Sequence, residues 1–220
     1  MCPARTELAR AAPGAAQRAT SPEAARRPAV FLDRDGVLNE LVPDPSTGLP
    51  ESPLRSADVR LLPGAAAGAA ELQSLGFALV VVTNQPAWAK GKASREALLA
   101  VHQQVVDLLA AEGVALDGWR WCLHHPEALV DELRGDCRCR KPRPGMLLDA
   151  AAELSLDLER SWIIGDSDAD VAAGREARCG TILVANPSSA HRRSGSPTPD
   201  AAVQSLPEAA AYLRQRAHRW

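Results

Sequence analysis

Short apolar runs that end in polar side chains, alternating with segments of helical spacing, constrain the fold of this 220-residue chain most. The clearest runs cover residues 29–32, 77–82 and 162–165, and each is followed by acidic, hydroxyl or amide residues. Apolar runs of this length, bounded by charge or glycine, are typical of buried strands. Strands that alternate with helices predict an α/β fold with a doubly wound parallel sheet and right-handed crossovers.

The sequence also predicts where the elements begin and end. Strands are expected near residues 29–32, 77–84, 119–123, 162–165, 181–184 and 201–203. Helices are expected over about residues 64–75, from the N-cap Ser94 onwards, over 144–154 and 169–178, and from 207. Residues 40–63 are proline-rich and are expected to form a loop with a short strand near 59–62, and residues 191–199 are expected to form a polar loop.

Two aspartates one residue apart, Asp33 and Asp35, follow the first predicted strand and precede Gly36. Ligands of parallel α/β sheets sit beyond the carboxyl ends of strands, and residues two apart in a strand share a face. A Mg²⁺ ion, which prefers oxygen ligands, would relieve the repulsion between the two carboxylates. One aspartate could then attack phosphorus while the other transfers protons. An ordinary turn is the alternative, whereas a calcium loop would need a glutamate where this chain has Asp44.

Three of the five cysteines lie near a histidine, in the patterns Cys122-x-His124 and Cys137-x-Cys139. Four nitrogen and sulfur donors with no open position suit a structural, tetrahedral Zn²⁺. We therefore predict a zinc loop over residues 122–139. The alternatives are a disulfide between Cys122 and Cys137, which a reducing compartment disfavours, and unligated thiols. Cys179 is expected to be packed between a helix and a strand.

Charge is spread unevenly, with arginine-rich ends and an acidic middle, although the formal net charge is only −2. An acidic middle argues against general nucleic-acid binding, which needs a basic surface. Residues 1–27 have no apolar core of the kind that a secretory signal needs, and no segment is long and apolar enough to span a membrane. We expect a cytoplasmic monomer without a membrane partner, composed of a disordered extension over 1–27 and one domain over 28–220.

Polar residues after the later strands complete a recognisable set. Thr83 and Asn84 end the second strand, Lys141 precedes a helix, and Asp166 and Asp170 follow the strand near 162–165. Together with the two aspartates after the first strand, and in this order, they resemble the four motifs of the haloacid dehalogenase-like superfamily of phosphohydrolases, whose sheet is Rossmann-like.

The resemblance implies a role for each of these residues. It implies that Asp33 is the nucleophile of a two-step hydrolysis and Asp35 the acid and base, and that Asp33, Asp35 and Asp166 hold Mg²⁺. Thr83, Asn84 and Lys141 would hold the phosphoryl group. Asp170 would orient Lys141 or the water around the metal, and Asp168 would cap the following helix.

The cysteine region is similar to a narrower family. The arrangement Cys-x-His-His-Pro, then Cys-x-Cys-Arg-Lys-Pro-x-Pro-Gly-Met, resembles the D-glycero-D-manno-heptose 1,7-bisphosphate 7-phosphatases and the related histidinol-phosphate phosphatases. The resemblance implies a zinc loop in place of a large cap, a small phosphorylated sugar cut at its C7 phosphate, and contact between Arg140 and the distal phosphate. Arg140 could instead be a surface charge. The chain departs from the heptose enzymes at residues 86–91 and at Ser167, both near the expected substrate.

Two rival functions remain open from the sequence. A zinc-stabilised interaction module would not need Asp33. A phosphotransferase with an acceptor other than water would share the same aspartyl-phosphate chemistry. A histidinol-phosphate or other polyol-phosphate phosphatase is the alternative within the same fold.

Overall fold

The computed structural model describes residues 26–44 and 47–217. Most of the extension predicted for residues 1–27 lies outside the described residues, as does Cys2. Its last residue, Arg27, already belongs to a strand and donates to the carbonyl oxygens of Gly76 and Phe77.

A parallel sheet of six strands forms the centre of the fold and confirms the predicted fold class. The strands are β1 (Arg27–Leu32), β4 (Ala78–Asn84), β5 (Gly118–Cys122), β6 (Leu156–Gly165), β7 (Gly180–Val184) and β8 (Ala201–Val203). Their spatial order is β5-β4-β1-β6-β7-β8, and every neighbouring pair is parallel.

Within residues 26–44 and 47–217, five α-helices connect and cover these strands. They are α1 (Ala65–Ser74), α2 (Arg95–Ala111), α3 (Gly145–Leu154), α4 (Asp168–Glu176) and α5 (Leu206–Ala217). All five begin within a few residues of the predicted starts. Ser94 caps α2 as expected, because its hydroxyl accepts a hydrogen bond from the backbone N–H of Ala97.

Alternation along the central strand separates two apolar cores. In β1, Val30 and Leu32 face the core beneath α1, α2 and α5, whereas Ala29 and Phe31 face the core beneath α3 and α4. All four side chains are fully buried. Burial on both faces is what a doubly wound parallel sheet requires, and it explains why the central strands are continuous apolar runs. Cys179, predicted to be packed, is buried in the second core.

The prediction of a single long loop over residues 40–63 with a strand near 59–62 was wrong in detail. Residues Val42–Pro43 (β2) and Pro50–Glu51 (β3) pair as a small antiparallel hairpin. Near 59–62 there is only an isolated bridge between Asn39 and Leu61. Strands of two residues that contain proline carry no readable period, so the sequence could not reveal them.

β6 also begins earlier than predicted, at Leu156 instead of Trp162. The additional residues include Asp157, Glu159 and Arg160. These charged side chains give the segment no apolar run from which a buried strand could be predicted. Leu156 and Asp157 pair with Arg27 and Pro28 at the start of β1, and the register shifts between Pro28 and Val30 before the apolar part of the strand pairs. Among the described residues, no helix has the length and apolar character needed to cross a membrane.

Candidate active site

Three neighbouring strands deliver polar side chains to one edge of the sheet. Asp33 follows β1, Thr83 lies at the end of β4, and Asp166 follows β6. Because β4, β1 and β6 are adjacent and parallel, their carboxyl ends meet. All three side chains are buried, so the fold holds polar groups in a place that water reaches poorly.

Lys141 contacts groups from three different segments at this edge of the sheet. Its ammonium group lies 2.9 Å from Asp33 Oδ1 and 2.5 Å from Asp170 Oδ1, and it donates to the carbonyl oxygen of Val82 at 2.8 Å. Three acceptors match the three donors of an ammonium group. Burial disfavours the charged ammonium, but the two carboxylates outweigh this effect and raise the pKa of Lys141. The lysine is therefore a fixed positive charge beside Asp33.

The carboxylates at this edge repel one another. Oxygen atoms of Asp33, Asp166 and Asp170 all lie within 4.8 Å of one another. Burial raises the pKa of Asp33 to about 6, against the lowering effect of Lys141. Burial also raises the pKa of Asp166 to about 8, and the charges of Asp33 and Asp170 add to that rise. A bound cation would relieve this repulsion.

Asp166 is the carboxylate whose surroundings best fit a metal ligand. It is fully buried, and neither of its carboxylate oxygens has a hydrogen-bond partner among the described residues. The Arg192 guanidinium lies 3.8 Å from Oδ2, beyond hydrogen-bonding distance. Buried acceptors without a donor are costly, and hard oxygen donors suit Mg²⁺. The residues present therefore fit a divalent cation between Asp33 and Asp166.

Asp35 is held differently, by four donated hydrogen bonds. Arg34 donates through Nε to Oδ1 at 3.1 Å and through Nη2 to Oδ2 at 2.9 Å. Asn39 donates to Oδ1 at 2.9 Å and Gln85 donates to Oδ2 at 2.6 Å. Burial alone would raise the pKa of Asp35, but the Arg34 guanidinium and these hydrogen bonds hold it below its usual range.

Sequence reasoning assigned no role to Arg34, Asn39 or Gln85. An arginine between two aspartates is normally expected to be exposed, yet Arg34 is fully buried. Only their distance in sequence from predicted site residues could have indicated a role. Gln85 comes two residues after Thr83, and Asn39 closes the turn that begins at Asp35.

Asn84, predicted to hold phosphate, forms two hydrogen bonds with the backbone of Lys141. Its Oδ1 accepts from the Lys141 N–H at 3.1 Å, and its Nδ2 donates to the Lys141 carbonyl oxygen at 3.0 Å. This pair of bonds fixes the loop before α3 against the end of β4.

Asp170, predicted to orient either Lys141 or the water around the metal, contacts Lys141 directly. The helix cap, however, was assigned wrongly. Ser167 is the N-cap of α4, and both its N–H and its hydroxyl donate to Asp170 Oδ2 in a capping box. Asp168 is the first helical residue instead, and it accepts hydrogen bonds from the backbone and hydroxyl of Ser194.

The segment after β7 forms one wall of the site, which the sequence suggested only as a loop. Asn186 donates to the carbonyl oxygen of Gly36 at 3.0 Å. Arg193 donates to the carbonyl oxygen of Asp166 at 3.0 Å. Residues Pro187–Arg192 form the 3₁₀ helix between these two contacts, so the segment links the loops after β1 and β6.

The cysteine region forms a compact cluster as predicted. Cys139 Sγ lies 3.4 Å from the sulfur atoms of Cys122 and Cys137, and those two sulfurs are 3.5 Å apart. His124 Nδ1 lies 3.6 Å from Cys122 Sγ and 3.5 Å from Cys139 Sγ. A tetrahedron with ordinary zinc bond lengths has S···S edges of about 3.8 Å and N···S edges of about 3.6 Å. The donor set fits a four-coordinate metal, and no disulfide joins these three cysteines.

Arg140 lies between this cluster and the carboxylate edge. It is half-buried and donates to the carbonyl oxygen of His124 at 3.2 Å. Lys90 and Arg140 both lie close enough to lower the pKa of the His125 imidazole, although burial is the larger cause. Positive side chains from two separate loops therefore converge near His125.

Gly36 permits the close approach of the loops after β1 and β6. Its φ is +97°, and a Cβ atom there would lie 2.0 Å from Asp166 Oδ2. We expect Gly36→Ala to lower the free energy of unfolding by more than Gly76→Ala. Gly76 has a similar φ of +90° but nothing within 4 Å of an added Cβ, so its variant isolates the backbone strain, about 1–3 kcal/mol. Urea denaturation measures both, and equal losses would show that the Asp166 contact is unimportant.

A parallel sheet with carboxylates, a hydroxyl and a lysine gathered at its carboxyl edge is the architecture of haloacid dehalogenase-like hydrolases. The HAD-hydrolase-like family model matches residues 138–209. The chain is 41% identical over 154 residues to D-glycero-β-D-manno-heptose-1,7-bisphosphate 7-phosphatase of Rhodopseudomonas palustris, covering 70% of this chain and 81% of the relative. It is 35% identical to the Yersinia pestis protein of the same name, covering 86% and 96%.

A solved structure agrees with these relatives. D,D-heptose 1,7-bisphosphate phosphatase from B. bronchiseptica, complexed with magnesium and phosphate, is 29% identical and superposes with a TM-score of 0.71. The match covers 86% of this chain and 99% of that one. The chain belongs to the D-glycero-β-D-manno-heptose-1,7-bisphosphate 7-phosphatase family of haloacid dehalogenase-like hydrolases.

Proposed function

We propose that this chain is a Mg²⁺-dependent phosphatase that removes the C7 phosphate of D-glycero-D-manno-heptose 1,7-bisphosphate through an aspartyl-phosphate. The observation that carries the proposal is the proximity of Asp33, Lys141 and Asp166, whose carboxylate accepts no hydrogen bond within the described part of the chain. The names of the relatives support the same substrate. The direct test is release of phosphate from this bisphosphate by purified protein with Mg²⁺, compared with a panel of sugar phosphates and histidinol phosphate.

In the first step, the Asp33 carboxylate attacks phosphorus and a new P–O bond forms. The ester P–O bond breaks, and the leaving alkoxide takes a proton from Asp35, which the ionised carboxylate first accepts from the bound phosphate monoester monoanion. Lys141, fixed by Asp33 and Asp170, compensates negative charge as the phosphoryl group moves. Thr83 lies at the end of the adjacent strand and supplies a hydroxyl for a phosphoryl oxygen.

In the second step, water attacks the phosphorus of the aspartyl-phosphate. Asp35 accepts a proton from that water, the bond between phosphorus and Asp33 breaks, and inorganic phosphate leaves. In each step the same carboxyl takes up one proton and releases it, to the leaving alkoxide in the first step and to inorganic phosphate in the second, so each cycle returns it to its ionised state.

Mg²⁺ would be held by the carboxylates of Asp33 and Asp166 and by the backbone carbonyl of Asp35. When bound, it neutralises negative charge on the phosphoryl oxygens and on the crowded carboxylates. The relative from B. bronchiseptica, complexed with magnesium and phosphate, supports this choice of cation.

Zn²⁺ would be held separately by Cys122, His124, Cys137 and Cys139, in a structural role. Soft thiolate donors favour zinc, whereas carboxylates favour magnesium, so the two metals sort by ligand chemistry. The loop that carries these donors ends next to Arg140 and Lys141. A rigid metal centre there would fix the position of both charges.

The second phosphate of the substrate would be bound by Arg140, with Lys90 nearby. Both are cationic and both lower the pKa of the His125 imidazole, whereas the Lys141 ammonium contacts Asp33 and Asp170. A guanidinium can bind a phosphate with two parallel hydrogen bonds. A site that the cysteine loop partly encloses would suit a sugar-sized molecule better than a polymer.

We expect Arg140→Ala to lower kcat/KM for the bisphosphate about 10- to 100-fold, since a hydrogen bond to a charged group contributes about 1.5–3 kcal/mol. Turnover of a monophosphate that lacks the distal group should change less than about threefold. Arg143→Ala is the matched control, because Arg143 lies in the same basic run but pairs with Asp136 at the surface.

Steady-state kinetics on both substrates decides between the two roles of Arg140. Equal losses on both would make Arg140 structural. A clear preference of the wild-type protein for histidinol phosphate would move the chain to that alternative substrate.

A further inference from the structure

Gln85 contacts two groups of the site at once, through a single amide nitrogen. Its Nε2 donates to Asp35 Oδ2 at 2.6 Å and to Thr83 Oγ1 at 2.9 Å. The side chain is fully buried, and its backbone N–H donates to the carbonyl oxygen of Cys122 at 2.7 Å. Both amide hydrogens are therefore used, and the residue is anchored at its backbone as well.

The orientation of the amide is fixed by charge. If the amide turned over, Oε1 would face the Asp35 carboxylate, and two acceptors would oppose each other. Thr83 Oγ1 accepts the second hydrogen and holds the amide from the other side. The threonine hydroxyl proton consequently remains available to another acceptor.

The other donors to Asp35 belong to its own turn. Arg34 precedes it in the chain and Asn39 lies four residues after it, and both are fully buried. Gln85 comes instead from the loop after β4, and it borders the small cleft lined also by Pro86, Ala87 and Lys90. Of the three residues that donate to Asp35, Gln85 is the one that lines this cleft.

We propose that Gln85 is a positioning residue that aims the Asp35 carboxyl at the leaving-group oxygen, with Thr83 as its anchor. The proposal rests on the proposed function, because it assumes that Asp35 transfers the proton. Gln85 itself touches neither phosphorus nor the leaving oxygen. Its effect is geometric: it donates to Oδ2 from outside the turn that carries Asp35, and without this bond Oδ2 keeps only the contact with Arg34.

The test compares two substrates that differ in their need for a proton. Departure of an alkoxide from an alkyl phosphate needs protonation, whereas departure of acetate from acetyl phosphate does not. The ratio kcat/KM reports events up to the first irreversible step, here formation of the aspartyl-phosphate, so later hydrolysis does not mask the difference.

We expect Gln85→Met to lower kcat/KM for the alkyl phosphate at least tenfold, since a displacement of about 1 Å can cost about 100-fold in rate. The same ratio for acetyl phosphate should stay within about threefold of wild type. Gln85→Glu, which places a second carboxylate against Asp35, should show the larger loss of the two on the alkyl phosphate. Gln103→Met is the matched control, since Gln103 is exposed on α2 and its side-chain amide donates to Asp107 at 2.8 Å, away from the site.

Equal losses of Gln85→Met on both substrates, or no loss on either, would overturn the positioning role. Urea denaturation in parallel shows whether Gln85→Met is merely unstable. If it is, the comparison of kcat/KM for the alkyl phosphate and for acetyl phosphate is made with Gln85→Glu instead. Failure of the proposed function gives a different result: the wild-type protein would then turn over neither substrate with Mg²⁺.

Discussion

Asp33→Asn is expected to lower kcat by about 10⁴-fold or more, because a carboxamide cannot form the aspartyl-phosphate and removal of a nucleophile costs about that much or more. The substitution is nearly isosteric and keeps an oxygen for the Lys141 ammonium, which lies 2.9 Å from Asp33 Oδ1 in the wild-type protein. Phosphate release from the bisphosphate measures the loss. A mass increase from trapped phosphoryl-enzyme should be seen in quenched wild-type protein and not in the variant.

The same variant should remain folded, which makes the result interpretable. Burial raises the pKa of Asp33 to about 6, above its ordinary value. Folding therefore favours the protonated carboxyl, and Mg²⁺-free wild-type protein should lose stability as the pH rises from about 4 through 6. Asp33→Asn cannot ionise and should lose less stability over that range.

Urea denaturation without Mg²⁺, at several pH values and without a chelator that would also remove zinc, measures this difference. Asp166 contributes its own loss at higher pH, since burial raises its pKa to about 8. Substantial turnover by a folded Asp33→Asn protein would contradict the assignment of the nucleophile.

Much of this architecture could be predicted because the sheet is buried on both faces. Strands such as β1 and β4 must then be apolar throughout, and their ends are marked by the first polar residue. Asp33, Thr83 and Asp166 stand at those ends, so the sequence order alone placed them at one edge. The four metal donors of the cysteine loop could be predicted from their spacing and donor chemistry.

The remaining features depend on contacts between distant segments, which carry no local period. The β2–β3 hairpin has strands of two residues, and the start of β6 is polar. Arg34 is charged and still fully buried, because Asp35 accepts two of its hydrogen bonds. The role of the segment after β7 follows only from where the fold brings Arg193, 27 residues from Asp166 in sequence.

Cys139→Ser is expected to abolish metal binding at the cysteine cluster and to loosen the loop that ends at Arg140. Wild-type protein should contain about one zinc per chain, as expected for a closed four-ligand site. The variant should contain close to none, since a hydroxyl is a poor ligand beside two thiolates and an imidazole. Elemental analysis measures the stoichiometry directly.

The consequences for stability and activity follow from what the cluster holds in place. Cys139 Sγ lies within 3.5 Å of three other donors, and metal binding to such a preformed set contributes directly to folding free energy. The variant should therefore melt at a lower temperature. Its bisphosphate turnover should also fall, because Arg140 and Lys141 directly follow the last donor. Cys179→Ser is the matched control: Cys179 is buried in the core beneath α3 and α4, which also includes Cys139, but it is not one of the four clustered donors. Its variant should keep the zinc. A zinc-free Cys139→Ser protein with an unchanged melting temperature and full activity would show that the cluster is not needed for the site.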